Sequence, residues 1–301
     1  MNKDFLLFHK PFISEEEINE IDDTVRSGWL SMGPKTIRFE EEFTNYIGSN
    51  RSIAINSWTA AGHLTLEAFG INRGDEVIVP TMTFPATTEI VCFSFYATKT
   101  LSTGEGGMIC TNNENIADRC KIMRLHGINR NAWKRYSEAG SWYYEVVALG
   151  FKYNFTDFQG SLGLLQLKEV DFMWGCRKKI ACLYTEAFKN NELIELQTIK
   201  SDRESSWHLY PIRLNLEKLK INRSQFIEDL KNLNVEVGVQ FMPVNQHMYY
   251  KNEFNLSDKN YPVASNIFPR LISLPIYPGM SNEHVNKVIN IVSDTLNKNK
   301  R

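Results

Sequence analysis

Apolar residues recur at helical spacing in the first organised segment of the chain. Ser14 and Glu17 stand three positions apart, as in a capping box, and Ile18 and Val25 fall on the apolar face that follows them. Gly28 then interrupts the pattern. The segment therefore predicts a helix that begins after Ser14 and ends before Gly28.

Short apolar runs alternate with helical patterns through the rest of the first half of the chain. Because strands that alternate with helices are typical of α/β domains, we expect a mostly parallel sheet with flanking helices. The predicted strands lie at residues 51–56, 76–80, 92–96 and 108–111, and the predicted helices at residues 59–69 and 115–125.

The second half of the chain predicts a different arrangement. A long helical pattern over residues 156–189 would link two domains. Residues 207–214 and 235–241 then alternate like half-buried strands, on either side of a helix that Ser224 would cap. Together with an amphipathic helix after Ser281, they indicate a small α+β domain.

Composition and charge exclude several classes of protein. The chain of 301 residues carries 34 Lys and Arg against 35 Asp and Glu, so it has no basic field that would attract nucleic acid or anionic lipid. No apolar run approaches the roughly 18 residues that cross a bilayer. The 5 cysteines include no C-x-x-C pair, which fits neither a disulfide framework nor a zinc site, and no signal peptide is recognisable. We therefore expect a cytoplasmic protein that binds no nucleic acid, membrane or metal.

The window from Cys92 to Gly107 carries the most informative chemistry. An apolar strand leads through Ser94 to Lys99, and a cluster of glycines then permits a tight return in which backbone approaches a ligand closely. A lysine that is partly desolvated at the end of a strand has a lowered pKa and can form a Schiff base with a carbonyl. The residues alone leave open the alternative, a solvated lysine at a strand end.

Hydroxyl side chains stand at the start of the helix predicted over residues 59–69. With the free N–H groups and the positive dipole end of that helix, Ser57 and Thr59 suit a phosphate group, and the alternative is a plain N-cap. Phe84 offers an aromatic face to a flat ring, or else belongs to the core. The isolated histidines show no metal-ligand spacing.

Taken together, these segments resemble the DegT/DnrJ/StrS family of pyridoxal-phosphate aminotransferases, which aminate keto-sugars attached to nucleotides. Its motifs include NSWTAA, GDEVIVPTMTF, FSFYATK, GFKYNFTD and LISLPIYP, and they follow one another in family order across nearly the whole chain. The matching segments are residues 27–34, 56–61, 74–84, 93–99, 104–107, 125–127, 150–157, 207–210 and 271–278.

The resemblance implies a fold type I aminotransferase that uses pyridoxal 5'-phosphate. Lys99 would hold this cofactor covalently and later move a proton between the substrate carbon and the cofactor. Thr59, Ala60 and Ser94 would seat the phosphate, and Phe84 would stack on the pyridine ring. Because family members that dehydrate their substrates carry histidine at the lysine position, Lys99 favours amino transfer. The expected substrates are a nucleotide-linked keto-sugar and glutamate as the amino donor.

The resemblance also implies a homodimer, since sites of this family are shared between subunits. Asn154 would reach the phosphate that the partner subunit binds. Two domains are expected within each subunit. Residues 1–190 would form a shortened cofactor-binding large domain with the N-terminal helix and the long linking helix, and residues 191–301 would form the small α+β domain.

One block of the family's large domain is missing from this sequence. The family continues after Thr-Phe-x-Ala-Thr with three further strand and helix units, whereas residues 83–91 here run directly into Cys92. The missing block carries the aspartate that pairs with the pyridine nitrogen and makes the ring an electron sink. Trp58 also replaces a usually small residue beside the phosphate seat.

Two hypotheses about function follow from the resemblance and from the missing block. The first is an aminotransferase of sugar-nucleotide metabolism. The second is a non-catalytic relative of these enzymes, either a remnant or a protein kept for binding or for pairing with another subunit. The missing aspartate favours the second hypothesis as far as activity is concerned.

Overall fold

The computed structural model describes residues 5–77, 91–129 and 143–301, which form two compact units. The first unit contains residues 13–77 and 91–170, and the second contains residues 5–12 and 171–301. Across these described residues, no helix combines the length and apolarity that crossing a bilayer requires. The α-helices are α1 (Glu15–Ser27), α2 (Pro34–Ile47), α3 (Trp58–Phe69), α4 (Glu114–Met123), α5 (Asp157–Phe188), α6 (Arg223–Asn232), α7 (Met248–Glu253), α8 (Pro262–Ile267) and α9 (Asn282–Lys298). The strands are β1 (Arg51–Ile55), β2 (Val91–Ser94), β3 (Gly107–Thr111), β4 (Ile194–Leu196), β5 (Tyr210–Leu214) and β6 (Leu271–Leu274).

The sheet of the first unit has the strand order β1–β3–β2 in the part of the chain that is described. Both ladders are antiparallel: Ile53 of β1 and Cys92 of β2 lie on either side of Ile109 in β3. The α/β class predicted from the sequence is confirmed. The expected mostly parallel pairing is wrong for these strands.

The connection between β2 and β3 explains the antiparallel pairing. Gly104 has φ 80°, a backbone conformation that suits glycine, and a Cβ on Gly106 would lie 2.5 Å from Thr103 Oγ1. These glycines reverse the chain without a crossover helix, so β3 runs against β2 and also against β1. The alternation of strands and helices in the sequence did not reveal this reversal.

The predicted helix ends are largely confirmed. Ser14 and Glu17 form the expected capping box, and Gly28 ends α1 in the left-handed conformation with φ 71°. Ser57 caps α3, whose last residue precedes Gly70. In each case a side-chain oxygen satisfies a backbone N–H that the first helical turn leaves free.

The structure adds one helix that was not predicted and corrects two local predictions. Helix α2 was not predicted, although Pro34 at its first position is a typical helix start. Asn222 caps α6 in place of Ser224, because its side chain accepts a hydrogen bond from the Gln225 N–H. Residues 235–241 form isolated bridges, one of them between Gly238 and Ser273, instead of a strand.

Phenylalanines dominate one half of the core of the first unit. The ring of Phe39 in α2 lies 5.5 Å from the ring of Phe95 and 5.9 Å from that of Phe155, measured between centroids. Phe43 lies 5.5 Å from Phe95 in the same way. Phe95, which directly follows β2, is therefore fixed by rings on two helical turns of α2.

The second unit is built around the antiparallel sheet β4–β5–β6. Its core joins these strands to apolar residues of α5, α6 and α9, with Tyr184 and Tyr210 among the buried rings. This arrangement agrees with a small α+β fold for the end of the chain. The domain boundary after residue 190 stays a prediction.

A buried carboxylate from α5 caps α2. Gly33 precedes α2 and has no side chain to cap it, and Asp157 supplies the missing acceptor from 121 or more residues away. Its carboxylate accepts hydrogen bonds from the N–H groups of Gly33, Lys35 and Thr36 at 2.8, 3.1 and 2.9 Å, and from Thr36 Oγ1 at 2.7 Å. Asp157 thereby joins the start of α5 to the start of α2.

We expect Asp157→Ala to lower the free energy of unfolding by about 3 kcal/mol, because it leaves several buried donors of α2 without an acceptor. Denaturant unfolding followed by circular dichroism measures this loss. The matched control is Asp118→Ala on the exposed face of α4, which should change the stability by less than about 0.5 kcal/mol. Equal effects of the two substitutions would contradict the capping role of Asp157.

Candidate functional site

The register of the first sheet places four of the relevant backbone positions in one row. Ser94 at the end of β2 lies opposite Gly107, and Gly107 lies opposite Ile55 at the end of β1. Ile55 in turn forms an isolated bridge with Asn154, and the Asn56 N–H donates to the Tyr153 carbonyl at 2.9 Å. The ends of β1 and β2 therefore share one edge of the sheet with the segment before α5.

The N-terminus of α3 lies against the same edge. A Cβ built on Gly107 would come within 2.9 Å of the backbone of Ser57 and of the Trp58 nitrogen, so only glycine permits this approach. Ser57 Oγ accepts from the Ala60 N–H at 3.1 Å. Thr59, in the first turn of α3, is exposed. An exposed hydroxyl residue therefore lies at the positive end of the α3 dipole.

Lys99 lies in the loop that connects β2 to β3, residues 95–106. The loop is closed at its base by hydrogen bonds from the Phe95 N–H to the Gly106 carbonyl and from the Thr103 N–H to the Phe95 carbonyl, both 2.9 Å long. Lys99 itself donates its N–H to the Tyr96 carbonyl at 2.8 Å, in a turn. Its side chain is half-buried, and this desolvation lowers the pKa of the Lys99 amine from its ordinary value.

Trp58 covers part of the outer edge of β2. Because the Phe95 N–H bonds to the carbonyl of Gly106, directly before β3, the alternation of an antiparallel ladder turns the carbonyl of Cys92 away from β3. The indole N–H of Trp58 donates to this Cys92 carbonyl at 3.3 Å. Among the described residues, a side chain of α3 thus satisfies a carbonyl on the side of β2 that faces away from β3.

A buried ion pair serves the outer edge of β1. Arg124 forms an ion pair with Glu40, and both side chains are largely inaccessible to water. Glu40 accepts from the Ala54 N–H at 2.8 Å, and Arg124 donates to the Ala54 carbonyl at 2.9 Å. The pair thereby satisfies the N–H and the carbonyl of Ala54, as hydrogen bonds from a neighbouring strand would. Loss of either member would leave a buried charge unpaired.

The structure brings several of the predicted site residues to the shared edge. Thr59 and Ala60 lie in the first turn of α3, and Ser94 ends β2 five residues before Lys99. Asn154 lies in the row of backbone positions of its own chain, where it is buried and its Nδ2 donates to the Phe155 carbonyl at 3.1 Å. The roles predicted for these residues stay predictions.

Phe84, the residue predicted to stack on a ring, lies outside the described residues. The other predicted site residues all belong to described segments: Thr59, Ala60, Ser94, Lys99 and Asn154.

Sequence reasoning missed the contribution of α5 to this edge. Gln159 Nε2 donates to the Glu105 carbonyl at 2.7 Å, and Gln166 Oε1 accepts from the Ser102 N–H at 3.1 Å. Both contacts hold the loop that carries Lys99. The available signal was a pair of polar residues seven positions apart, two helical turns, within a largely apolar helix.

The edge fits part of pyridoxal phosphate, the cofactor that the resemblance implies. Thr59, exposed in the first turn of α3, suits its phosphate, and the amine of Lys99, with its lowered pKa, suits its aldehyde. The pyridine nitrogen finds less support. Strands β1, β2 and β3 contain no Asp or Glu, so none of these described strands offers a carboxylate to keep that nitrogen protonated.

Comparisons with known proteins identify the family. Residues 11–92 and 88–293 match the model of the DegT/DnrJ/EryC1/StrS aminotransferase family. An uncharacterised protein of Methanocaldococcus jannaschii, MJ1066, is 38% identical over 385 aligned residues, with 100% of both chains covered. SpsC, a spore coat polysaccharide biosynthesis protein of Bacillus subtilis, is 34% identical over 376 residues, which cover 96% of this chain and 97% of SpsC.

Solved structures agree with this result. Spr1654 of Streptococcus pneumoniae, described as a sugar aminotransferase and solved in its PMP form, has a TM-score of 0.87 at 25% identity and covers 97% of this chain and 99% of its own. PseC of Helicobacter pylori has a TM-score of 0.86 at 21% identity and covers 98% of this chain and 100% of its own. This similarity shows a shared fold. The fold is that of an aminotransferase-like α/β protein. The chain belongs to the DegT/DnrJ/EryC1/StrS aminotransferase family.

We expect Lys99→Met to raise the stability at neutral pH, because it removes a charged amine that burial has partly desolvated. A lysine whose pKa is lowered in the folded state binds fewer protons than in the unfolded state, so its penalty is full below the folded pKa and is released as the pH rises towards 10.5. The stability gap between the variant and the parent should therefore narrow at alkaline pH. Denaturant unfolding at several pH values measures it, with Lys168→Met on the exposed face of α5 as the control. A gap that does not depend on pH would contradict the burial of Lys99.

Gly107→Ala is expected to destabilise the protein by about 2 kcal/mol, since its Cβ would press on the backbone of α3 at the shared edge. Thermal unfolding measures the effect. Gly175→Ala, on an exposed part of α5 with nothing within 4 Å of its Cβ, is the control and should be neutral or slightly stabilising. A parent-like melting temperature for Gly107→Ala would refute the close approach of α3 to β3.

Proposed function

We propose that this chain binds pyridoxal phosphate, with Lys99 as the covalent attachment point, and that it acts on the keto group of a nucleotide-linked sugar with glutamate as the amino donor. The observation that carries this proposal is the half-buried amine of Lys99, in a loop that leaves the sheet edge where the N-terminus of α3 lies. Family membership and the sugar aminotransferase described for Spr1654 support the substrate class.

Each residue of the edge has a chemical task in this proposal. A lowered pKa increases the unprotonated fraction of the Lys99 amine at neutral pH, and the unprotonated amine is the form that attacks a carbonyl. The Thr59 N–H and hydroxyl, together with the α3 dipole, hold the phosphate, and Ala60 and Ser94 complete its seat. When bound, the cofactor supplies an electron sink for the carbon that exchanges its amino group. Lys99 then has an amine available to move a proton at that carbon.

In this proposal the composition of the three strands also limits the rate of amino transfer. Without a carboxylate on the three described strands, the pyridine nitrogen loses the partner that strengthens the electron sink.

The alternative function, a non-catalytic family member that keeps the cofactor site, has its own support. MJ1066 aligns over 385 residues although this chain has 301, and the two family-model matches meet between residues 88 and 92. A block present in the relatives is therefore proposed to be absent here, next to β2.

Three further expectations belong to the proposal. Residues 1–190 form the shortened cofactor-binding domain and residues 191–301 the small domain. The protein works as a homodimer in which Asn154 serves the partner subunit's phosphate. It acts in the cytoplasm.

The test begins with cofactor attachment. Purified protein is mixed with pyridoxal phosphate, reduced with borohydride and digested, and the modified lysine is located by mass spectrometry. We expect modification at Lys99 in the parent and in Lys168→Ala, and none at that position in Lys99→Ala. Modification spread equally over exposed lysines would overturn the proposed site.

The second step measures the half-reaction with glutamate, in which the amino group passes to the bound cofactor and 2-oxoglutarate is released once per site. It uses protein loaded with pyridoxal phosphate and not reduced with borohydride, since reduction fixes the lysine adduct and blocks amino transfer. We expect a rate orders of magnitude below the roughly 1 s⁻¹ or more of ordinary enzymes. A rate in that ordinary range would contradict the proposed weakness of the electron sink. No release at all, from a protein whose reduced sample is modified at Lys99, would support the non-catalytic alternative.

A further inference from the structure

The loop that carries Lys99 has little regular structure of its own. Its base is closed by the hydrogen bonds of Phe95 described above, and Lys99 lies in a turn that pairs with none of the described strands. Loops of this kind adopt many conformations unless other elements hold them. The position of the Lys99 amine therefore depends on whatever fixes the loop from outside.

Gln166 of α5 is one of these external contacts. Its side chain is 2% exposed, and it bonds at both ends: Oε1 accepts from the Ser102 N–H at 3.1 Å, and Nε2 donates to Glu17 Oε1 at 2.6 Å. Ser102 follows Lys99 by three residues. The buried side chain of Gln166 thus holds the loop by a hydrogen bond close to Lys99.

The amide of Gln166 satisfies both of its partners at once. The Ser102 N–H needs an acceptor, and the Glu17 carboxylate needs a donor. Glu17 is itself fixed, because its other oxygen accepts from the Ser14 N–H at 2.6 Å in the capping box of α1. The orientation of Gln166, and with it the acceptor offered to Ser102, is therefore set by α1.

A second amide holds the far side of the loop. Gln159 lies two helical turns before Gln166 and donates from Nε2 to the Glu105 carbonyl at 2.7 Å. Its Oε1 is held by the N–H and hydroxyl of Thr156, at 3.0 and 2.9 Å. One face of α5 therefore forms hydrogen bonds to the loop at both Ser102 and Glu105.

We propose that Gln166 is a positioning residue for Lys99: its paired hydrogen bonds to Ser102 and Glu17 fix the loop in the form that presents the lysine amine at the sheet edge. The inference rests on the proposed function, in which Lys99 attaches the cofactor. It goes further by making that attachment depend on a residue that touches neither the cofactor nor the lysine. Gln159 assists by holding the loop at Glu105.

The test compares Gln166→Met with the parent. Methionine keeps the length and volume of glutamine and removes both hydrogen bonds, so the loop loses its grip at Ser102. With pyridoxal phosphate as the probe, we expect the concentration needed for half-maximal modification of Lys99 to rise roughly tenfold. The matched control is Thr36→Val, which removes the buried hydrogen bond of Thr36 to Asp157 and leaves the loop untouched.

Gln166→Glu separates positioning from stability. It keeps an acceptor for the Ser102 N–H but sets a second carboxylate against Glu17, so it should lose stability while modifying Lys99 better than Gln166→Met. Thermal unfolding is recorded for every variant. If the loss of Lys99 modification simply follows the melting temperature across Gln166→Met, Gln166→Glu and Thr36→Val, the positioning role is wrong.

A readout that needs no cofactor distinguishes the two proposals. The lysines are methylated with ¹³C-formaldehyde and cyanoborohydride as the reductant, and the resonance of Lys99 is compared between the variants. We expect it to move in Gln166→Met and to stay in place in Thr36→Val. If the parent is not modified by pyridoxal phosphate and the resonance still moves, the proposed function fails and the positioning role stands. A parent-like resonance in Gln166→Met, with parent-like modification, overturns the positioning role.

Discussion

The first turns of α5 are the constraint on which the rest of the first unit depends. Asp157 satisfies the free N–H groups at the start of α2, and Gln159 and Gln166 hold the loop between β2 and β3. A buried carboxylate shared among several donors makes strong, directional hydrogen bonds. Because these side chains lie on one helix, the start of α2 and the lysine loop are both anchored to α5 by hydrogen bonds.

Both outer edges of the first sheet are served by side chains within the described part of the chain. Arg124 and Glu40 bond the N–H and carbonyl of Ala54 in β1, and Trp58 bonds the carbonyl of Cys92 in β2. An unpaired strand edge is a site for unwanted pairing between chains, and such contacts blunt it. Trp58, which replaces a usually small residue beside the phosphate seat, thus has a structural role at the edge of β2.

The sequence predicted the parts of the site that depend on local chemistry. The helix start at Ser57, the lysine after an apolar strand and the glycine return follow from the conformational preferences of single residues. The direction of β3 was mispredicted, since strand direction depends on how the chain returns and not on the pattern within the strand. The roles of Gln159 and Gln166 were also out of reach, because an amide in a helix shows nothing of a loop that lies more than 50 residues away in sequence. Helix α2 was missed although Pro34 marks its start, because its cap comes from the distant Asp157.

We expect one sheet edge to combine a helix N-terminus open to phosphate with a loop that is already fixed before the cofactor binds. Amide hydrogen exchange, measured with and without pyridoxal phosphate, tests this most directly. The Ser102 N–H should be protected in both samples because Gln166 holds it, whereas the exposed first turn of α3 at Thr59 should gain protection only with the cofactor. Fast exchange at Ser102 in the free protein, or unchanged exchange at Thr59 on adding the cofactor, would contradict the account.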